Sequence, residues 1–414
     1  MRIAFVSQWF PPEPGNGIAA GIADGLATRG HNVDVITGFP NYPTGKIQQG
    51  YPLRAYRREQ RSDRVAVHRA PLYPSHDRDA LKRIANYSSF ALSACWVSRS
   101  HISKPDIWLT YSSPATSALP SLIAWRREKI PSFLLIQDLW PDSVLQSEFL
   151  SSSTTKIAHR TLEKFCNWTY RRSAGIGIIS PGMRAILVER GVDDEKIYFT
   201  PNWVGDTNLQ PTRIPDDTLR SSLGLPVGGM LFMYAGNLGQ LQGLAPLVEA
   251  FSNLAGVNLV LIGDGVESDS LRTLVETRRI GNISFVSSQM SDIIGHFIAA
   301  SDVQIVSLRD NPSLRATMPS KVQTSMAAGR PILCHAAGDV AHLVTSSGAG
   351  LAAQPGNLAS IRHAILAFSR LPDGEMRAMG RRARAYYEKN FSPSAGLDRL
   401  ESMLLTDARS GARR

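Results

Sequence analysis

"MLFMYAGNLGQLQG" (230–243) decides how this chain folds. A short apolar run, "MLFMYA", ends in a glycine, and more glycines precede the helix-spaced "LAPLVEAFSNL" (244–254). A strand that runs into a glycine turn and then a helix opens a βα unit. The order recurs at "VNLVLIGDG" (257–265), "ISFVS" (283–287), "VQIVSL" (303–308) and "RPILCH" (330–335). Strands alternating with helices predict a parallel, doubly wound sheet.

The first half repeats the theme. "RIAFVS" (2–7) leads into the glycine-rich "PPEPGNG" (11–17) and then "IAAGIADGLATRG" (18–30), helix-spaced and stopped at Gly30. Further strands are predicted at "HNVDVITG" (31–38), "DIWLTY" (106–111), "SFLLIQD" (132–138) and "GIGIIS" (175–180). Between the halves, "PNWVGDTNLQPTRIPDD" (201–217) lacks periodicity and reads as a linker. The expected fold class is α/β, with two Rossmann-like domains facing across a cleft and ligands at the carboxyl ends of the strands. The boundaries fall at 1–204, 205–385 and a C-terminal helix over 386–414 that packs back on the first domain.

At about 150 residues per domain, 414 residues accommodate two such units, and 43% hydrophobic residues fill two cores. Cys95, Cys166 and Cys334 are scattered and form no CxxC, which argues against a disulfide framework or zinc site and for a reducing compartment. "MRIAFVSQWF" begins a strand at once and is not a signal peptide, and no run of about 18 apolar residues predicts a membrane span. The net charge is +10, and residues 1–200 carry 25 Lys+Arg against 17 Asp+Glu. The excess clusters in "LRAYRREQRSDR" (53–64), "AWRREK" (124–129) and "TYRRS" (169–173). No nucleic-acid motif accompanies it, so an anionic membrane leaflet is the expected partner and nucleic acid is not. "LKRIANYSSFALSACWVSRS" (81–100) mixes an apolar face with basic ends, as a core helix or a membrane-lying one does.

Three strand-end glycine turns offer phosphate cradles. "GNGIAAG" places Gly15, Asn16 and Gly17 before a helix, but the intervening "QWFPPEP" makes the loop too long for a nicotinamide-binding fingerprint. "YAGNLGQLQG" (234–243) and "LIGDGVE" (261–267) are the other two. Asn237 and Gln242 are neutral, so an anion there relies on backbone N–H groups. In "LRDNPSLRATMPSKVQTSMAAGRPIL" (308–333), Arg309, Arg315 and Lys321 are cations on a loop and a helix start, the charge that a pyrophosphate leaving group needs. "LLIQDLWPDS" (134–143) ends a strand with Gln137, Asp138, Trp140 and Asp142, where a carboxylate and an aromatic face suit a sugar; Asp142 also reads as a helix N-cap. No HExxH, GxSxG or Cys/His signature appears among the nine histidines.

These segments, in their order and spacing, resemble the retaining, nucleotide-sugar-dependent glycosyltransferases of family four, which have the GT-B fold. The resemblance rests on "FVSQWFPPEPGNG", "LATRGHNVDVITGFPNYPTGK", "LIQDLWPDS", "ISPGMRAILVERGVDDEKIYFTPNWVG", "YAGNLGQLQGL", "LIGDG" and "PSKVQTSMAAGRPIL", and covers nearly the whole chain. It is closest to the enzymes of capsule, O-antigen and colanic-acid assembly, which act on a polyprenyl-pyrophosphate-linked acceptor at the inner membrane face. The resemblance implies a first domain that binds the acceptor and a second that binds the nucleotide sugar, with no metal or other cofactor. It implies a cytoplasmic protein, peripheral at the inner face of the plasma membrane. Gly15 and Gly17 match the loop facing the donor phosphates, and Gly236 the start of the donor loop. Gln137 stands where many members carry a histidine, next to Asp138.

Asp138, Gln137, Lys321 and Arg315 are thus the expected catalytic residues. The expected donor set is Gly15, Asn16, Gly17, Gly236, Asn237, Leu238, Gln242, Gly263, Asp264, Gly265, Pro319, Ser320 and Thr324. Two departures from the family stand out. Asn237 and Gln242 replace an arginine and a lysine, and Ala316 and Thr324 occupy the positions of a glutamate pair. Losing two charge-assisted bonds of about 1.5–3 kcal/mol each demands a replacement, which Arg315 and Lys321 are expected to supply. The expected chemistry is dissociative sugar transfer with retention, the leaving oxygen taking the acceptor proton on the same face. The rivals are a nucleotide-sugar 2-epimerase, for which no histidine–carboxylate set is evident, and a non-catalytic sugar-nucleotide-binding subunit.

Overall fold

The computed structural model describes residues 1–13, 17–75, 80–141, 153–205, 209, 215–290 and 292–411. The chain divides into two compact units, residues 1–201 with 396–414, and residues 202–395. The first carries β1 (Arg2–Val6), β2 (Asn32–Gly38), β3 (Arg57–Ser62), β4 (Val65–Ala70), β5 (Ile107–Ser112), β6 (Ser132–Ile136), β7 (Gly175–Ile178) and β8 (Ile197–Phe199). They lie in the order β3-β4-β2-β1-β5-β6-β7-β8. Every pairing is parallel except β3 with β4. The second unit carries β9 (Met230–Ala235), β10 (Val257–Ile262), β11 (Ile283–Val286), β12 (Val303–Ser307), β13 (Ile332–His335) and β14 (Gly350–Ala353). Their order is β11-β10-β9-β12-β13-β14, all parallel.

The central strands read as continuous apolar runs because helices cover both faces of each sheet. In the second unit, Phe232, Tyr234, Leu259 and Leu261 pack with Leu247, Phe251 and Phe368 in one core layer. Leu231, Met233, Val260 and Ile262 point the opposite way, against Phe297 and Ala300. In the first unit, Ala4, Val6 and Ile36 pack against Phe90, Ala94 and Val97 of the helix Ala80–His101.

Several expected boundaries shift. The run 132–138 is a strand only to Ile136, which leaves Gln137 and Asp138 on the loop beyond it. The basic stretch 53–64 contains β3, an edge strand paired antiparallel to β4. Its arginines and glutamate hide the strand from an apolar-pattern reading, and charge on an edge discourages pairing with other chains. The single helix expected over 386–414 is two. Helix Asp373–Asn390 ends at Phe391, whose backbone leaves the helical region, and Pro393 opens the helix Pro393–Gly411.

That last helix clusters with the first unit from Gly396 onward. Arg29 donates to Glu401 at 2.7 Å and Asp398 at 2.5 Å, and His31 Nε2 lies 2.8 Å from Glu401. Gly25 lets this helix approach closely, since a Cβ there would sit 2.5 Å from the methyl groups of Leu397 and displace that side chain. Among the described residues no helix is long and apolar enough to cross a membrane. The three cysteines are free thiols.

Candidate functional site

The second sheet changes winding direction between β9 and β12, where ligands of doubly wound sheets bind. These two strands pair only through Val303–Phe232 and Gln304–Met233. Beyond those pairs a cavity of about 320 Å³ opens, lined by Gly236, Gly263, Gln304, Ser320, Lys321 and Thr324. Ser288, Gln289, Ile294 and Ile298 form the opposite wall.

Glycine is required where the strand-end loops close on one another. Gly263 has φ +138°, and a Cβ on it would lie 2.0 Å from the carbonyl oxygen of Gly236. A Cβ on Gly265 would lie 2.4 Å from the carbonyl oxygen of Leu238. Asp264 holds this crossing together, since its carboxylate accepts from Gly265 N at 2.8 Å and Ser268 Oγ at 3.0 Å. The bond from the Gly265 N–H, with that from Ser268, holds its carboxyl below the usual range. Its side chain is therefore committed to the turn. Leu238 is 1% exposed within the apolar core, so its backbone alone faces the loop.

Lys321 is the charge in the cavity. It lies in the first turn of the helix Ser320–Ala327, whose N-cap, Pro319, makes no side-chain capping bond. Its Nζ is 5.0 Å from the centre of the Tyr234 ring and would lie 2.5 Å from a Cβ on Gly236. Among the described residues no carboxylate or hydrogen-bond acceptor meets that ammonium. Burial pushes it below the usual lysine range. Tyr234 is fixed beneath it, its hydroxyl donating to the Asn237 carbonyl at 2.8 Å. The amides of Ser320 and Lys321 have no acceptor among the described residues, so the uncapped helix end faces the same cavity as the ammonium. An unpaired cation, free amides and a dipole end make a receptor for a dianionic phosphate.

The other expected donor residues divide. Asn237 and Gln242 lie together, Nδ2 to Oε1 at 3.5 Å, and bring no charge. Thr324 lines the cavity with its hydroxyl donating to the Ser320 carbonyl at 3.1 Å, leaving it an acceptor only. Arg315 is not brought to the cavity. It is exposed and forks onto Asp310 at 2.7 and 2.8 Å, which matches its geometry and occupies it. Arg309, also exposed, lies 3.7 Å from Glu267.

In the first unit, Asp138 lies past β6 and accepts from Ser113 Oγ at 3.2 Å. The chain crowded around it desolvates its carboxyl and raises it above the usual range, against the pull of Ser113, while the residue still reaches solvent. Gln137 is half-buried beside it. Trp140 is not the open aromatic face expected for a sugar: it is buried, with Tyr87 packed edge-on at 5.8 Å. Trp9 and Tyr42, 6.1 Å apart, are the more accessible rings at that sheet edge. Gly17 begins the helix Gly17–Thr28, while Gly15, Asn16 and Asp142 lie outside the described residues. Sequence reading passed over Tyr234 because it falls inside an apolar strand. It also passed over Ser288 and Gln289, which follow a strand with no motif of their own.

Comparison with known proteins finds two family models. Residues 17–203 match the glycosyl transferase 4-like domain, and residues 215–386 match glycosyl transferases group 1. A putative colanic acid biosynthesis glycosyl transferase, WcaI of Escherichia coli K12, is 28% identical over 73% of this chain and 75% of its own. Among solved structures, sucrose-phosphate synthase from Thermosynechococcus elongatus superposes with TM-score 0.75 at 18% identity, covering 98% of each chain. The HepE protein of Anabaena in complex with UDP gives TM-score 0.70 at 17% identity, covering 98% of this chain and 100% of its own.

Proposed function

Since this chain belongs to the GT-B glycosyltransferases built from a 4-like domain and a group 1 domain, we propose that it moves a sugar from a nucleoside diphosphate sugar to a lipid-linked saccharide, with retention at the anomeric carbon. The observation that carries this reading is Lys321, a half-buried ammonium with no carboxylate partner among the described residues, set beside Gly236 at an uncapped helix end. The diphosphate lies against Lys321, the amides of Ser320 and Lys321, and the loop 236–243. Breaking the anomeric C–O bond leaves the electron pair on the diphosphate, and the ammonium stabilises the developing charge. The acceptor hydroxyl attacks on the same face and passes its proton to the departing oxygen. The positive charge comes from the chain, so a metal ion is not required. Arg315, held by Asp310, has no role in this scheme. Asp138 and Gln137 are assigned to polar contact with the acceptor.

The likeness to WcaI supports a cell-surface polysaccharide as the product, and the HepE complex makes UDP the first nucleotide to try. The helix Ala80–His101 supports attachment to the inner face of the plasma membrane. Ile84, Leu92 and Trp96 are 52%, 66% and 46% exposed on one side of it, with Lys82 and Arg99 exposed beside them.

The decisive experiment is thermal unfolding with a panel of UDP-, GDP- and dTDP-sugars in the presence of chelator. A ligand at a hundredfold excess over Kd adds about 2.7 kcal/mol, so the true donor shifts the midpoint by several degrees. Transfer of its sugar to a polyprenyl-pyrophosphate saccharide completes the assignment. No shift with any sugar nucleotide, or turnover that chelator abolishes, overturns it.

A further inference from the structure

The loop 236–243 has lost its side-chain charges, so its grip on a diphosphate rests on where its backbone amides point. The N–H groups of Asn237, Gly239, Gln240 and Leu241 have no acceptor among the described residues. At the front, the loop is fixed by Gly236 N donating to Ile262 O at 2.8 Å and Leu238 N to Asp264 O at 2.8 Å. At the rear, Arg309 N donates to Leu241 O at 2.9 Å, and Ser307 Oγ donates to Gln242 O at 2.6 Å.

That rear bond leads to a buried imidazole. Ser307 closes β12, and His335, 1% exposed, closes β13 opposite it in register. Ser307 has one hydroxyl hydrogen, and Gln242 takes it. The contact of 2.8 Å between Ser307 Oγ and His335 Nδ1 therefore requires the ring proton on Nδ1. Nε2 then accepts the Gly356 N–H, at 3.0 Å, from just past β14. Every polar atom of the imidazole is used. A second ring proton would face the Gly356 N–H, and burial holds the ring neutral, down to about 4.

We propose that His335 is a positioning residue for the donor. Through Ser307 it ties the ends of β12, β13 and β14 to the Gln242 carbonyl and so aims the amides of the loop 236–243 at the diphosphate. The inference rests on the donor reading above. A neutral loop needs such a clamp more than a charged one, because a lysine reaches its phosphate across an error in backbone position and an amide does not.

The test is calorimetric Kd for the nucleoside diphosphate that the wild type binds, with donor and acceptor KM, for S307A and H335N. S307A cuts the tie to the loop. H335N retains a side-chain N–H for Ser307 but no acceptor for Gly356. Donor Kd and KM are expected to weaken about tenfold in S307A and less in H335N, with acceptor KM unchanged. Nitrogen-15 NMR of the wild type is expected to show His335 as the neutral Nδ1–H tautomer at pH 7, a readout independent of how either variant folds. An Nε2–H tautomer or an imidazolium overturns the relay. So does a folded S307A that binds the diphosphate like the wild type, or one that loses donor and acceptor affinity equally. A wild type that binds no nucleoside diphosphate overturns the donor reading and this inference together, whereas normal wild-type binding with an indifferent S307A overturns this inference alone.

Discussion

Lys321 sits against a glycine and an aromatic face, and among the described residues no acid neutralises it. Removing it therefore costs the folded protein little and its anionic ligand much. K321A should raise donor Kd and KM about 10–100-fold, the worth of one charge-assisted bond to phosphate at about 1.5–3 kcal/mol, and lower the unfolding midpoint by no more than a degree or two. Competition titration of the nucleoside diphosphate, with a melting curve beside it, checks both halves. At this scale the sequence is informative where chemistry is carried by residue type. A lysine opening a helix after a strand is legible as a cation at a strand-end cavity, which is where Lys321 lies. Arg315 looks equivalent, yet five residues upstream Asp310 waits at fork distance, and a loop's internal pairing is invisible in a linear reading. Burial is hidden from a linear reading in the same way: the side chains of Leu238 and Trp140 turn into the core.

Elements add what single residues do not. His335 joins three strands, and its acid behaviour follows. Its folded value, about 4, lies below the usual 6.5, so between those values the unfolded chain binds more protons and stability rises with pH. As pH falls from about 6.5 to 4 the second unit should lose about 2–3 kcal/mol through this group, and H335N should lose correspondingly less; urea unfolding at stepped pH measures the difference. The helix Ala80–His101 makes the second case. Its buried side, Phe90, Ala94 and Val97, satisfies the core reading of its sequence, and its outer side carries the exposed Ile84, Leu92 and Trp96. Wild type should sediment with vesicles of phosphatidylglycerol and phosphatidylcholine, less so at 0.5 M salt. L92E/W96E should stay in the supernatant and still transfer to a detergent-dispersed acceptor. Equal sedimentation of the two forms rules this face out. Strand β3 shows the limit of pattern reading, since a ribbon of Arg, Glu and Gln has no apolar alternation to betray it.

At the scale of the molecule, the alternation of strands and helices made both Rossmann-like units legible, because parallel sheets write their burial directly into the sequence. The division at 201/202 opens a stretch rich in turn residues, but the return of the last helix to the first unit has no local signal. It depends on Arg29, His31 and Gly25 meeting residues far along the chain. Deleting 396–414 strips Leu400, Met403 and Leu404, all fully buried, from the first unit. At about 1.5–3 kcal/mol for each buried side chain, the loss approaches the whole stability of a domain. Limited proteolysis of the truncated protein should therefore degrade residues 1–201 and spare a fragment near 202–395. Equal resistance in both fragments contradicts this.

The same arrangement orders events on the ribosome. The first unit is translated first but lacks a layer of its structure until the helix Pro393–Gly411 has left the exit tunnel. At about 5–20 residues per second, the intervening residues 202–395 occupy tens of seconds. During that interval the first unit waits with the surface around Gly25 and Arg29 uncovered. A chaperone that shields the Gly25 surface would therefore act on this protein late in its synthesis.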